Sequence, residues 1–382
     1  MKKVFKFYLP GFIVLVIVIL LFQPNPFLRN ALIYTTADIT DFEIFEKREI
    51  KSGNPQAWNI SDQYNKYQLT PDDTSLLNEY KTVAYLVIKD TAIVFESYCD
   101  GYNEKAYSNS FSMAKSIVSL LIGIAIDEGK IVSVNDPVYK YIPEFNDENR
   151  KNITIKHLLT MSSGLEWNES YKNPFSVTTK AYYGNSLNKL VLDAKRIKTE
   201  GAFYEYSTPN PQLLSIIIKN VTKKTLSEYA SEKLWIPLGA ERPAFWSIDR
   251  ENGDEKAFCC FNSNARDFAR LGQLVLNKGK WNGSQIVSEQ YLKESLTPAR
   301  HLVDENNKPV DFYGYQWWIA NYNDYTIYYA RGILGQYIIC IPEKNMVIVR
   351  LGHMRSKEKI GHHPSDLFEY IDLAFSLAGV TE

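Results

Sequence analysis

The sequence predicts an α+β fold: one antiparallel sheet built from both ends of the chain, flanked by helices, with a mainly helical region inserted between its strands. Two patterns predict it. Runs rich in β-branched and aromatic residues fall at 83–98 and again at 314–352, whereas about 135–250 carries helix starts, apolar residues at helical spacing and loops. A third observation is Ser112-Met113-Ala114-Lys115, where a polar, turn-like run meets an apolar helical one. It marks a cleft where the two parts join. At 382 residues the chain has length for one large core or two smaller ones.

The elements follow in order. Lys2, Lys3 and Lys6 precede an apolar run at 7–22, broken only by Pro10 and Gly11. This matches the charged and apolar regions of an export signal, though it is short of the roughly 20 residues of a full span. Neither a small-x-small cleavage site nor a lipid-accepting cysteine follows. Residues 1–28 are therefore expected to be a signal anchor, with a cleaved signal peptide as the alternative. The basic end would stay in the cytoplasm and the rest of the chain would lie on the extracytoplasmic side of the cell envelope. A wholly soluble product starting near residue 25–30 would reject the anchor and imply a secreted or periplasmic protein.

Residues 29–75 lack periodicity and are expected to form an irregular extension lying over the main domain, which occupies 76–382. Residues 83–88 and 92–98, about a short polar turn, predict a hairpin. A helix then runs from the Ser112 motif to Asp127-Glu128, with Gly129 as its C-terminal cap. Shorter helices are expected at 154–161, at 211–220 with Pro211 in the first turn, and at 264–277. Strands return at 314–320, 324–330, 336–341 and 346–352, and a last helix covers 364–377.

Composition excludes several functions. Net charge is −1, from 43 basic and 44 acidic side chains, and no basic stripe offers a surface for nucleic acid. Aromatic residues make up 14% of the chain, which predicts a ring-rich core. The four cysteines form no C-x-x-C pair and have no metal-ligand spacing. Cys259 and Cys260 are adjacent, which argues against a disulfide between them. His157 is expected to be packed or hydrogen-bonded, and His362-His363 falls in a loop before Pro364. No metal or organic cofactor is implied, and oligomeric state is left open.

The chemistry starts at Ser112. Three residues apart on the first helical turn, Ser112 and Lys115 share a face with Cβ atoms roughly 5–6 Å apart. Free N–H groups at a helix start also favour developing negative charge there. Two other S-x-x-K runs, at Ser186 and Ser356, do not lead into a buried helix. With no G-x-S-x-G elbow and no histidine triad, Lys115 is the available base for a serine nucleophile.

These motifs resemble the serine β-lactamase and penicillin-binding-protein superfamily, whose first motif is S-x-x-K at a helix start. Residues 153–165 (ITIKHLLTMSSGL) and 234–240 (LWIPLGA) are similar to its class C-like branch. Closer still is the branch of 6-aminohexanoate-dimer (nylon-oligomer) hydrolases and related esterases, through Phe111–Ser116, Trp167-Asn168-Glu169-Ser170-Tyr171, Tyr315-Gln316-Trp317-Trp318 and Gly332-Ile333-Leu334-Gly335-Gln336. The likeness covers about 80–375.

The resemblance implies a β-lactamase/transpeptidase-like fold and a small-molecule ester or amide as substrate. It implies Ser112 as nucleophile, Lys115 and Tyr206 as proton-transfer groups, and the N–H groups of Ser112 and Ile333 as oxyanion donors. Gly332 and Tyr171 would contact substrate. Two departures stand out. The Tyr-x-Asn motif reads Tyr206-Ser207-Thr208, and the Lys-Thr-Gly motif reads Ala330-Arg331-Gly332, without its cation. The second departure argues against β-lactamase activity. The alternatives are a D,D-carboxypeptidase or D-amino-acid peptidase acting on peptidoglycan fragments, and a non-catalytic, membrane-tethered binding protein of the same fold.

Overall fold

The computed structural model describes residues 26–171 and 173–380; the apolar run at 7–22 lies outside them. Among the described residues no helix is long and apolar enough to cross a membrane.

The predicted hairpin forms from β3 (Thr82–Lys89) and β4 (Ala92–Tyr98), after two short strands, β1 (Lys47–Ile50) and β2 (Asn59–Ile60). Asp90 and Thr91 both take positive φ, 50° and 64°. A two-residue link between right-twisted strands needs that conformation. Three short strands follow: β5 (Ser108–Asn109), β6 (Ala244–Ser247) and β7 (Phe261–Ser263). The C-terminal part supplies β8 (Trp318–Tyr322), β9 (Tyr325–Gly332), β10 (Gln336–Ile341) and β11 (Met346–Gly352).

The main sheet has the order β8-β9-β10-β11-β3-β4-β2. It is antiparallel except where β2 lies beside β4. The two ends of the chain meet at β3 and β11, with Val87 opposite Ile348. Side chains alternate between two cores, as the period-2 pleat requires. Ile338, Val347 and Val349 lie on the side of α3 (Ala265–Leu276), in the core that also holds α1 (Ala114–Asp127), while Ile339 and Ile348 share the other core with α4 (Asp366–Leu377). The inserted region is a layer of mostly short helices, the longest being α2 (Pro209–Thr222).

Several expectations need correction. The segment 29–75, expected to be irregular, contains a helix at Pro71–Glu79 and places β1 against β6 in a second, four-stranded sheet of order β1-β6-β7-β5. Strand pairing over four residues needs no periodicity long enough to read from sequence. The first C-terminal strand starts at Trp318, because residues 314–317 form a turn. There Gln316, at φ 63°, donates its side-chain amide to the Leu158 and Leu159 carbonyls, both at 2.9 Å. α2 starts two residues earlier than expected, with Pro209 in its first turn.

Cys259 and Cys260 are joined by a disulfide, contrary to the sequence expectation. Neighbouring side chains diverge in regular structure, but Cys260 sits in a left-handed turn at φ 69°, outside any helix or strand. His157 has the structural role expected of it: Nδ1 accepts the Thr154 N–H at 3.2 Å, at the start of the helix Ile155–Leu159.

Candidate active site

Ser112 sits on a 3₁₀ turn, Phe111–Met113, that runs directly into α1. The turn is tightly held. Phe111 is a left-handed non-glycine residue at φ 44°, a costly conformation that persists only when its surroundings enforce it. Its side chain is buried, and its N–H donates to Asn109 Oδ1 at 2.9 Å. Ser112 itself is half-buried at the head of the helix, and the Met113 N–H beside it donates to the Ser110 carbonyl at 3.2 Å.

One turn on, Lys115 is 1% exposed. Its amine bonds Ser112 Oγ at 2.9 Å and donates to the Phe258 carbonyl at 2.7 Å. It also lies 4.9 Å from the centre of the Tyr206 ring, over its negative face. The fold thus brings together the three side chains that the sequence singled out. Sequence reasoning missed Phe258, whose contribution is a backbone carbonyl that no side-chain motif marks.

Tyr206 stands just before α2, half-buried against an aromatic wall. Its ring is 5.7 Å from Trp318 and 6.2 Å from Tyr313. Burial, reinforced by the Tyr206 hydroxyl, pushes the Tyr204 and Tyr313 phenols well above their ordinary range. These two neighbours therefore stay neutral.

The strand end β9 closes the opposite side. A Cβ added at Gly332 would lie 2.3 Å from the Ser110 carbonyl oxygen and 3.1 Å from the Phe111 Cβ. Only glycine lets the strand come this close to the Ser112 turn. Ile333 follows, then Leu334 at φ 62° and Gly335 at φ 83°. Two buried side chains fix this turn, and the sequence did not reveal either role. Gln336 donates to the Ile333 carbonyl at 3.2 Å and clasps Gly352 through both its amide atoms. Arg350, fully buried, donates to the Leu334 and Gly335 carbonyls at 2.9 and 2.8 Å.

Ala330 is fully buried in the core, so no cation occupies that position. Arg331 points to the other face, its guanidinium 3.4 Å from the centre of the Trp318 ring, and donates to the His362 carbonyl at 3.1 Å. It thus joins the aromatic wall that also packs on Tyr206. His362 pairs with Asp304 at 3.3 Å and stacks on Phe312.

Tyr171 lies in the loop before Ser176, and Thr208 sits two residues after Tyr206. Glu169, quoted in the motif but given no role from sequence, links them. Its carboxylate accepts the Tyr171 hydroxyl at 2.8 Å, the Thr208 hydroxyl at 2.7 Å and the Thr208 N–H at 2.9 Å. Beyond this loop opens a cavity of about 680 Å³ lined by Trp167, Phe175, Ile197 and Glu205 among others. Its lining includes Asn168 and Glu205, the chain neighbours of Glu169 and Tyr206, and not Ser112.

With this geometry in view, comparison with known proteins is specific. A family model described as Beta-lactamase matches residues 76–361. The 6-aminohexanoate-dimer hydrolase of Paenarthrobacter ureafaciens is 28% identical over 296 residues, covering 74% of this chain and 75% of its own. A Bacillus anthracis structure assigned to the 6-aminohexanoate-dimer hydrolases superposes with TM-score 0.73 at 22% identity, over 94% of this chain and 96% of that one. A family VIII carboxylesterase gives TM-score 0.62 at 15% identity, over 81% and 99%. The last two likenesses bear on fold, and the family model covers most of the chain: the protein belongs to the beta-lactamase family.

Proposed function

We propose that the protein is a serine hydrolase that cleaves a small ester or amide through an acyl-enzyme on Ser112. The observation that carries this reading is the buried Lys115 amine, 2.9 Å from Ser112 Oγ and held there by the Phe258 carbonyl. Ser112 gives its proton to the Lys115–Tyr206 pair as Oγ attacks the carbonyl carbon. Negative charge on the former carbonyl oxygen is met by the N–H groups of Ser112 and Ile333. The pair then returns the proton to the departing nitrogen or oxygen, and water clears the acyl group by the same route in reverse. Gly332 and Tyr171 contact the substrate.

The likeness to a 6-aminohexanoate-dimer hydrolase favours a linear amide among the substrates. A peptidoglycan-directed reading is disfavoured by Ala330, which leaves no side-chain cation at that position to hold a substrate carboxylate. The test is labelling by a fluorophosphonate probe, which captures activated serines. The wild-type protein should label and Ser112→Ala should not. Equal turnover by the Ser112→Ala protein would overturn the mechanism.

A further inference from the structure

We infer that the Cys259–Cys260 disulfide is a positioning element for acylation: it fixes the Phe258 carbonyl that holds the Lys115 amine against Ser112. The inference rests on the proposed hydrolase reading and extends it to the main chain behind Lys115. Lys115 Nζ donates to the Phe258 carbonyl at 2.7 Å and lies 2.9 Å from Ser112 Oγ. A carbonyl only accepts, so this contact takes one N–H and turns the rest of the amine toward the serine hydroxyl.

The Phe258 carbonyl and the Cys259 N–H belong to one peptide unit. That unit is trans and planar, so its C=O and N–H point in opposite directions. The Cys259 N–H donates to the Lys256 carbonyl at 2.9 Å, which sends the Phe258 carbonyl the other way, to Lys115. The direction of this single unit therefore sets where the amine sits. Next along the chain is Cys260, fully buried and left-handed at φ 69°. A non-glycine residue keeps that conformation only where its surroundings enforce it. The disulfide does so by closing a small covalent ring over the peptide bond between the two cysteines. Trp246 Nε1 donates to the Cys259 carbonyl at 2.9 Å and Asn262 Nδ2 to the Cys260 carbonyl at 2.8 Å, which seats that ring between β6 and β7. With the S–S bond open, the torsions on both sides of Cys259 regain freedom. The Phe258–Cys259 unit then loses its covalent restraint.

The test compares the full-length protein as purified, the same protein after dithiothreitol, and the double variant Cys259→Ser, Cys260→Ser. Dithiothreitol opens the S–S bond to two thiols while its own two thiols close into a disulfide, so electrons and protons balance. Trypsin cuts after Lys256 and Arg266 and isolates both cysteines in one peptide, whose mass reports the bond. The maximal rate of fluorophosphonate labelling should fall about tenfold on reduction, the worth of one hydrogen bond in the barrier. The half-saturating probe concentration should stay as it was. The double variant should show the same fall, and dithiothreitol should slow it no further. Oxidised glutathione should restore the reduced protein and leave the variant slow. A disulfide that only stabilised the fold would lower the melting temperature without changing the labelling rate of folded protein. A reduced protein or a folded double variant that labels at the oxidised rate would overturn the inference, as would a wild-type peptide with both thiols free. If the double variant does not fold, the reduced protein decides alone, and if the buried bond resists the reagent, the variant does. A wild-type protein that fails to label would instead remove the hydrolase reading on which the inference stands.

Discussion

Replacing Arg350 by lysine probes how the Ile333 turn is held. Its guanidinium is fully buried on β11 and serves five acceptors. Nε donates to Thr82 Oγ1 at 3.1 Å, and Nη1 to the carbonyls of Leu334, Gly335 and Met354 at 2.9, 2.8 and 2.8 Å. Nη2 donates to the Tyr80 carbonyl. A lysine ammonium keeps the charge but has three hydrogens, so at least two of the five acceptors lose their partner. The Tyr80 carbonyl also accepts the Met354 N–H and the Thr82 hydroxyl also meets Tyr370, so the cost is that of an unmet carbonyl among Leu334, Gly335 and Met354, about 1–3 kcal/mol. The Leu334 and Gly335 carbonyls belong to the turn that presents Ile333, so the loss reaches function too. Urea unfolding should show the drop in stability, and fluorophosphonate labelling of Ser112 should slow by about tenfold, the equivalent of ~1.4 kcal/mol in the barrier. A variant within about 0.5 kcal/mol of the wild type, labelled at the same rate, would refute the claim that Arg350 holds the turn.

Two further outcomes follow from the geometry. Gly332→Ala sets a Cβ 2.3 Å from the Ser110 carbonyl oxygen, a backbone atom that cannot rotate away. The Ser112 turn must shift, at about 1–3 kcal/mol for overpacking. Labelling should fall well before the fold is lost, and wild-type labelling with an unchanged melting temperature would count against the close approach. His363, bonded to the Tyr329 hydroxyl at 2.7 Å, has its pKa pushed down to about 3 by burial, then by Arg331 and His362. Its folded value lies below the unfolded one, so the unfolded chain binds the extra proton and stability falls as pH drops from about 6.5 toward 3. The slope is roughly 1.4 kcal/mol per pH unit for one proton. His363→Asn should flatten the stability profile over that range, and an identical acid profile would show that another group controls it.

How far the sequence reaches depends on the range of the interaction. Ser112 and Lys115 are three residues apart, so helix geometry alone places them together, and the strands at both ends of the chain were readable from runs rich in β-branched and aromatic residues. The Gly129 cap was equally local: the residue takes φ 68° just past α1. The resemblance placed Tyr206, Ile333 and Gly332, which spacing cannot do.

Tertiary structure decided what lies between distant segments. Phe258 reaches Lys115 through a main-chain oxygen, and every residue type carries that group. Arg350 and Gln336 are ordinary strand residues until the turn after β9 folds over them. The pairing of β1 with β6 joins segments nearly 200 residues apart, each too short to display a pattern. Cys259 and Cys260 bond because the left-handed turn at Cys260 overrides the divergence expected of neighbours. Glu169 and Thr208 were both visible in the sequence. Only the packing of one loop against the start of α2 made them partners, because a carboxylate does not disclose which donors it will meet.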